Sequence, residues 1–169
     1  MKAWAVAVFS AALLARLAFW LLADQPLLYA HQYHYFTNGL RIFEHPHPLS
    51  YLFYSDEWRT WAEHWTIAPL YYPFEALVFF LFGPHLAPLR LVQCVLGAVT
   101  AVAVGAMGRE AAGPRGWIAG LAYAFYGYSV ELPCWTVTEN LHNAMLAVAS
   151  ALLLRSVPRR SMAHMTRTR

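Results

Sequence analysis

The sequence predicts an all-α integral membrane protein with four transmembrane helices and two juxtamembrane surface helices in the first outer loop. Composition is the first observation, because hydrophobic residues make up 59% of the 169 residues and charged residues only 12%. The second is that apolar stretches of crossing length recur along the chain. The third is that most acids lie on one side of these stretches and most bases on the other, which is typical of membrane proteins with a fixed orientation.

The first predicted span is Ala3–Ala23. At ~1.5 Å per residue it is about 31 Å long, which matches a hydrocarbon core of roughly 30 Å. The stretch is longer than the ~7–15 apolar residues usual in a signal peptide, so we expect a retained span. Inside it, Arg16 is a charge that needs a polar partner, a route along its stem to the interface, or a lipid phosphate.

The outer loop, residues 24–88, is expected to lie on the membrane, because seven of the ten tyrosines fall between Tyr29 and Tyr72 and such rings favour the headgroup level. Ala68–Gly83, in which Glu75 is the only charge, predicts an apolar surface helix. An earlier helix is predicted by an apolar stripe with helical spacing, Tyr33, Phe36, Leu40 and Phe43. Its polar stripe is His31, His34, Asn38 and Arg41.

The later spans are predicted at about residues 89–108, 116–132 and 135–154, so that residues 1–155 form a single membrane module. Residues 156–169, which are rich in arginine, are expected to form a disordered basic cytoplasmic tail. A fifth span at Ala68–Gly83 would carry this tail outside, against the positive-inside bias. With four spans, in a plasma or inner membrane, both termini are cytoplasmic and every acid except Glu110 lies on the outer side.

Several other classes of site are disfavoured by the residues themselves. The net charge of +3 comes from bases dispersed at span ends, so no nucleic-acid partner is expected. Two cysteines, Cys94 and Cys134, cannot define a metal site, and they form either one bridge or two unpaired thiols near the outer face. His45 and His47 flank a proline that splays them apart, which disfavours shared metal binding.

The order of motifs along the chain carries a family resemblance. The motifs are Ala68-Pro69-Leu70-Tyr71-Tyr72-Pro73 running into Leu81-Phe82-Gly83, then Leu89-Arg90-Leu91-Val92-Gln93 with Gly97-Ala98-Val99-Thr100, and finally Thr138-Glu139-Asn140. Over residues 4–155 this order resembles the N-terminal half of GT-C glycosyltransferases. These are polyprenyl- or dolichyl-phosphate-sugar-dependent enzymes of the protein O-mannosyltransferase and aminoarabinose transferase type. The resemblance implies a GT-C-like N-terminal module.

The resemblance further implies sugar transfer from a polyprenyl-phosphate donor to an acceptor at the outer face of the bilayer. Such a reaction needs a general base at the membrane surface and a cation, either a basic side chain or a divalent metal, beside the leaving phosphate. Glu139 matches the family acid of the second outer loop and is the first catalytic candidate. The other catalytic candidates are His31, His34, Asp56 and Glu57. The candidates for binding the substrate phosphate are Arg16, Arg41 and Arg90.

Each candidate also has a structural interpretation. Glu139 is equally suited to begin a helix, the histidine pair to a polar helix face, and Asp56 with Glu57 to a solvated loop. Family members place an acid at the start of the first surface helix, where this chain has His31 or Gln32. The alternative function is therefore a non-catalytic membrane protein on this scaffold: a degenerate or truncated relative, or an accessory subunit. A partner chain that supplies further spans would complete the enzyme.

Overall fold

The structure is a computed structural model that describes residues 2–23, 30–48, 70–135 and 138–156. Within these ranges it is all-helical and has no β-strand, which confirms the predicted class at that level. The α-helices are α1 (Ala3–Leu22), α2 (Ala30–Glu44), α3 (Tyr71–Phe82), α4 (Leu86–Ala112), α5 (Ile118–Ala124), α6 (Gly127–Glu131) and α7 (Thr138–Ser156). Two 3-10 segments, Pro114–Trp117 and Leu132–Cys134, flank α5 and α6.

Two of these helices are long and apolar enough to cross a membrane. They are α1, with a mean hydropathy of 2.1, and α4, with 1.9. This is the length and composition that a hydrocarbon core of ~30 Å requires, and it indicates membrane association. The four predicted transmembrane helices are therefore not confirmed as such, because α1 and α4 alone among the described helices combine crossing length with apolar character.

Helix α4 lies at the centre of the bundle, with α1 antiparallel to it. Trp4 at the start of α1 contacts Gly105 near the end of α4, and Arg16 near the end of α1 contacts Gly97. Between these points the two helices bury a cluster of small apolar side chains with α5: Val8, Ala12, Ala98, Ala101 and Ala124. Such residues let backbones approach closely, which is how helices associate where lipid removes the hydrophobic drive.

Helix α7 packs on another face of α4 and runs parallel to it. Near the start of both helices, the Asn140 side-chain amide donates to the main-chain carbonyl oxygen of Gln93 at 2.8 Å. Towards the other end, the two helices share a cluster of buried alanines: Ala103, Ala106, Ala147 and Ala151. The start of α7 therefore lies at the same end of the bundle as the start of α4.

The segment predicted as a continuous span at 116–132 is instead broken, and that prediction is wrong in this respect. Helix α5 ends at Ala124, and α6 begins at Gly127 and has only five residues. At the break, side chains bond to backbone groups that a continuous helix would pair: the Ser129 hydroxyl donates to the Tyr126 carbonyl oxygen at 2.8 Å, and Arg16 donates to that of Ala124. The apolar composition of residues 116–132 predicts one helix, but the backbone hydrogen bonds of a continuous helix are interrupted between α5 and α6.

Close backbone contact joins this broken segment to α4. A Cβ atom built on Gly116 would stand 1.9 Å from the carbonyl oxygen of Gly108, and one on Gly120 would stand 2.6 Å from that of Ala101. Real Cβ contacts are never that short. The segment therefore crosses α4 backbone against backbone, at positions where only glycine fits.

The helix predicted around the stripe from Tyr33 to Phe43 and the one predicted at Ala68–Gly83 are both present, as α2 and α3, and they pack side by side in parallel. Aromatic pairs mark the register, from Tyr35 against Tyr71 at one end to Phe43 against Phe80 at the other. The predicted apolar stripe is confirmed at Phe36, Leu40 and Phe43, which pack against α3 and α4, but not at Tyr33, which is 58% exposed. The most buried positions of α2 are Tyr35, Asn38, Gly39 and Ile42. Asn38 was assigned to the polar stripe, but packing against α3 covers it.

Candidate functional site

A completely buried acid, Glu75, lies at the interface of α2 and α3. Its side chain is 0% exposed, and neither carboxylate oxygen makes a hydrogen bond of ordinary geometry with the described residues. Gly39 on α2 makes room for it, since a Cβ there would stand 2.7 Å from the Glu75 Cβ and 2.9 Å from Oε2. Burying a carboxylate without hydrogen-bond partners destabilises the fold unless the group keeps its proton and stays neutral.

A chain of polar side chains runs from Glu75 to the start of α7. The Tyr71 hydroxyl lies near enough to the carboxyl group to influence its ionisation, and it accepts a hydrogen bond from Nε2 of Gln93. The main chain of Gln93 in turn accepts the bond from Asn140. We call Glu75, Tyr71, Gln93 and Asn140 the buried polar cluster. It connects α3, α4 and α7 at one end of the bundle.

Burial raises the pKa of the Glu75 carboxyl well above its ordinary value, while the neighbouring Tyr71 hydroxyl lowers that pKa by a smaller amount. The pKa of Tyr71 is also raised, first by burial and then by the charge of Glu75. Burial thus disfavours the charged form of both groups, and the charge of Glu75 further disfavours ionisation of Tyr71. The folded chain therefore favours the neutral form of each group more than the unfolded chain does.

Glu75→Gln is expected to remove one component of the pH dependence of stability. In the unfolded chain the carboxyl loses its proton near pH ~4.3, but in the folded chain it holds the proton to higher pH. Stability therefore falls as pH rises from about 4.3 towards the raised pKa, and glutamine, which does not titrate, abolishes this fall. Thermal unfolding of the purified chain in detergent, from about pH 4 to about pH 8, measures it.

Glu44→Gln is the matched control for this experiment, because Glu44 is an exposed acid on α2. It should keep the pH dependence of the native chain. If Glu75→Gln also keeps it, burial of Glu75 does not control stability in this pH range.

The start of α7 brings a second acid, Glu139, to the same end of the bundle. Glu139 is exposed, and its carboxylate accepts a hydrogen bond from the Thr138 hydroxyl at 3.2 Å. Tyr35 on α2 is a neighbour of both acids. The pKa of its hydroxyl is raised first by burial, then by Glu139 and Tyr72, and by a smaller amount by Glu75. A hydrogen bond with Thr138 lowers that pKa. The two carboxyl groups thus share one tyrosine as a neighbour.

An open groove of about 500 Å³ runs from this point along α7. Its polar end is formed by Tyr71, Thr138, Glu139 and His142. Its remaining length is mostly apolar and follows one side of α7, with Leu141, Met145, Leu146 and Ala149 in the wall. We call it the α7 groove. Its shape suits an elongated molecule with a polar head and an apolar tail.

Arg16 lies in the break of the third apolar segment. It is 0% exposed, so the predicted route along its stem to the interface is not taken. Its guanidinium donates to the carbonyl oxygens of Ala12 at 2.9 Å and Ala124 at 3.4 Å, and to the Ser129 hydroxyl at 3.3 Å. Gly97 leaves the space for it, because a Cβ there would stand 2.4 Å from Nε. The bond to Ala124 satisfies a carbonyl oxygen at the end of α5.

Of the other candidates predicted from the sequence, two arginines lie on α2 and α4, and the side chains of the rest lie outside the residues that the structure describes. Arg90 is largely buried in the first turns of α4, one turn before Gln93, and Arg41 is exposed in the last turn of α2. His31 and His34 belong to the first turns of α2, but their side chains are outside the described residues. Asp56 and Glu57 also lie outside the described ranges, as does the side chain of Cys134, whereas Cys94 is buried in α4.

Within the described ranges no group of three or more His, Cys, Asp or Glu side chains is placed to hold a metal ion. Comparison with protein-family models, curated proteins and solved structures finds no match for this chain.

Glu75 is the site residue that the sequence reasoning missed. The sequence singled it out only as the one charge of Ala68–Gly83. Yet a single acid within an apolar, aromatic segment has no low-cost structural role, and such residues are functional candidates by default. That signal was available in the sequence.

Proposed function

We propose that this chain is a multi-pass membrane glycosyltransferase of the GT-C type, or the N-terminal module of one. It would transfer a sugar from a polyprenyl-phosphate donor to an acceptor at the outer membrane face. The observation that carries the proposal is the position of Glu139, an exposed carboxylate at the polar end of the apolar α7 groove. This is the arrangement that a lipid-linked sugar requires.

The α7 groove supports the choice of a lipid-linked donor. A polyprenyl chain would lie along Met145, Leu146 and Ala149, while the phosphosugar would reach Glu139 and His142. Binding of the inert chain would then fix the reacting atoms beside the carboxylate, which is how remote contacts promote reaction. Glu139 would take the proton from the acceptor as the sugar leaves the phosphate.

The remaining residues of this end have supporting roles in the proposal. The buried polar cluster would position the start of α7, because Asn140, the residue that follows Glu139, is hydrogen-bonded to Gln93 on α4. Arg90 and Arg41 lie on the helices around this end and are the proposed partners of the departing phosphate. A divalent metal or a partner chain would be the other source of positive charge.

The orientation we propose has four crossings, both termini in the cytoplasm and residues 24–88 outside. Support comes from the bundle, where Lys2, Arg109 and Arg155 gather around one end and Glu139 lies at the other. Helix α3 would lie in the plane of the membrane, because 12 residues span only about 18 Å. The broken segment would supply the third crossing and α7 the fourth.

Cysteines introduced at Ser55 and Ser161 test this orientation. An impermeant thiol reagent applied to intact cells is expected to label position 55 and leave position 161 unlabelled, because the first belongs to the proposed outer loop and the second to the cytoplasmic tail. Lysed cells should show labelling of both and provide the control. Labelling of position 161 alone would reverse the topology, and labelling at both in intact cells would change the number of crossings.

A second function is favoured by one observation. Helix α2 begins at Ala30, and its first turn carries His31 and Gln32 where the resembling enzymes have an acid. Loss of that acid is what a non-catalytic relative or accessory subunit would show. Transfer of labelled sugar from a polyprenyl-phosphate donor, compared between membranes with the native chain and with Glu139→Gln, separates the two functions.

A further inference from the structure

The opposite end of the bundle holds a second cavity that plays no part in sugar transfer. It has a volume of about 310 Å³ and is lined mainly by polar surface. Its lining has three bases: Lys2 just before α1, Arg109 on α4 and Arg155 on α7. Glu110 is the one acid in that lining. We call it the basic pocket. Its excess of positive charge suits an anion.

Arg109 is held in place within the basic pocket. Its guanidinium carbon lies 5.2 Å from the ring centre of Trp4, over the ring face, and Nη1 donates to the Pro114 carbonyl oxygen at 3.2 Å. Cation–π contact and a hydrogen bond fix the side chain. Lys2 and Arg155 are exposed, so they can turn towards a ligand.

An apolar cavity of about 320 Å³ continues from the basic pocket along the outside of the bundle. The two cavities share four wall residues: Lys2, Trp4, Ala106 and Arg155. From there the apolar cavity follows the gap between α1, α4 and α7, past Val102, Val148 and Leu152. The basic pocket and this apolar cavity, which we call the apolar channel, thus form one continuous surface.

We propose that this surface binds an anionic phospholipid, with its phosphate-bearing headgroup in the basic pocket and one acyl chain in the apolar channel. Charge complementarity selects the headgroup, because three cations face one acid. The continuity of the two cavities selects a lipid over a free anion. The chain's own tail is a poor occupant, since residues 157–169 contain arginines and no acid.

The test is lipid binding by the purified full chain in detergent, followed by native mass spectrometry during titration with phosphatidylglycerol. Phosphatidylcholine with the same acyl chains is the zwitterionic comparison. The variant Lys2→Gln with Arg155→Gln changes two exposed side chains. It is expected to weaken phosphatidylglycerol binding by about 30-fold, equivalent to ~2 kcal/mol at ~1 kcal/mol per basic residue.

Arg115→Gln is the matched control, because Arg115 is an exposed base in the neighbouring 3-10 segment but does not line either cavity. It should leave binding unchanged. An equal loss in the control and in the double variant would overturn the proposal, since it would show general attraction to positive charge. Equal binding of the two lipids by the native chain would overturn it as well. The single variant Lys2→Gln, expected to lose about 5-fold, serves if the double variant does not fold.

Two competition measurements distinguish binding of the whole lipid from binding of its headgroup alone. Inorganic phosphate and glycerophosphoglycerol, which lack acyl chains, are expected not to compete with phosphatidylglycerol. If either displaces the lipid fully, the site holds a small anion and the apolar channel is not used. Activity in sugar transfer is not part of this experiment, so its result is independent of the proposed function.

Discussion

Glu139→Gln is expected to lower the turnover of sugar transfer by ~100-fold or more, because it removes the proposed general base while preserving side-chain size. Glu139 is exposed at the polar end of the α7 groove, so the change should leave the fold and the amount of protein in the membrane unaltered. The measurement is transfer from a polyprenyl-phosphate sugar in membranes that contain the chain together with any partner it needs.

Glu131→Gln provides the control for this loss. Glu131 ends α6 and does not line the α7 groove, so its replacement should preserve turnover. His31→Ala, in the first turn of α2, tests whether the histidine substitutes for the acid that the resembling enzymes carry there. Transfer that persists after both Glu139→Gln and His31→Ala would refute this site. Absence of transfer with every donor, in a folded native chain, would favour the non-catalytic function.

Gly116→Ala is expected to destabilise the bundle by about 3 kcal/mol, at the upper end of the usual cost of overpacking. The added Cβ would stand 1.9 Å from the carbonyl oxygen of Gly108 and 2.7 Å from the amide nitrogen of Arg109. Backbone atoms cannot rotate away as a side-chain tip can, so the broken segment must move off α4. The midpoint of unfolding in a denaturing detergent titration measures the effect.

Gly127→Ala is the matched comparison in the same segment, because no atom lies within 4 Å of a Cβ built there. It should change stability little, or raise it slightly by restricting the unfolded chain. Equal destabilisation by the two substitutions would show that the cost comes from loss of glycine flexibility. The inferred backbone contact at Gly116 would then be wrong.

Much of the fold follows from the sequence because apolar length is a simple signal. The stretch beginning at Ala3 and the one beginning near Leu89 were both predicted as helices of crossing length. The break after Ala124 was not, since it depends on Arg16, which precedes Ser129 by 113 residues and donates to it in the folded bundle. A local pattern contains no information about such a distant partner.

The candidate site divides in the same way. Glu139 could be named from the motif around it, and Gln93 and Asn140 were both part of the resemblance. That Asn140 bonds to Gln93 could not be read from the sequence, because it requires α7 to lie parallel to α4 at a particular register. The burial of Glu75 likewise depends on Gly39, a residue of another helix, and only the packed pair reveals it.

The break in the third apolar segment also constrains how the protein is made. Helices α5 and α6 are too short to satisfy their own backbone groups in lipid, where irregular backbone is tolerated only inside protein. Arg16 supplies one of the missing bonds, at the Ala124 carbonyl oxygen. On the proposed topology, the first helix leaves the ribosome well before this segment and must remain close to the translocon. On that topology biosynthesis would have a fixed order, in which α1 acts as a template for the broken segment.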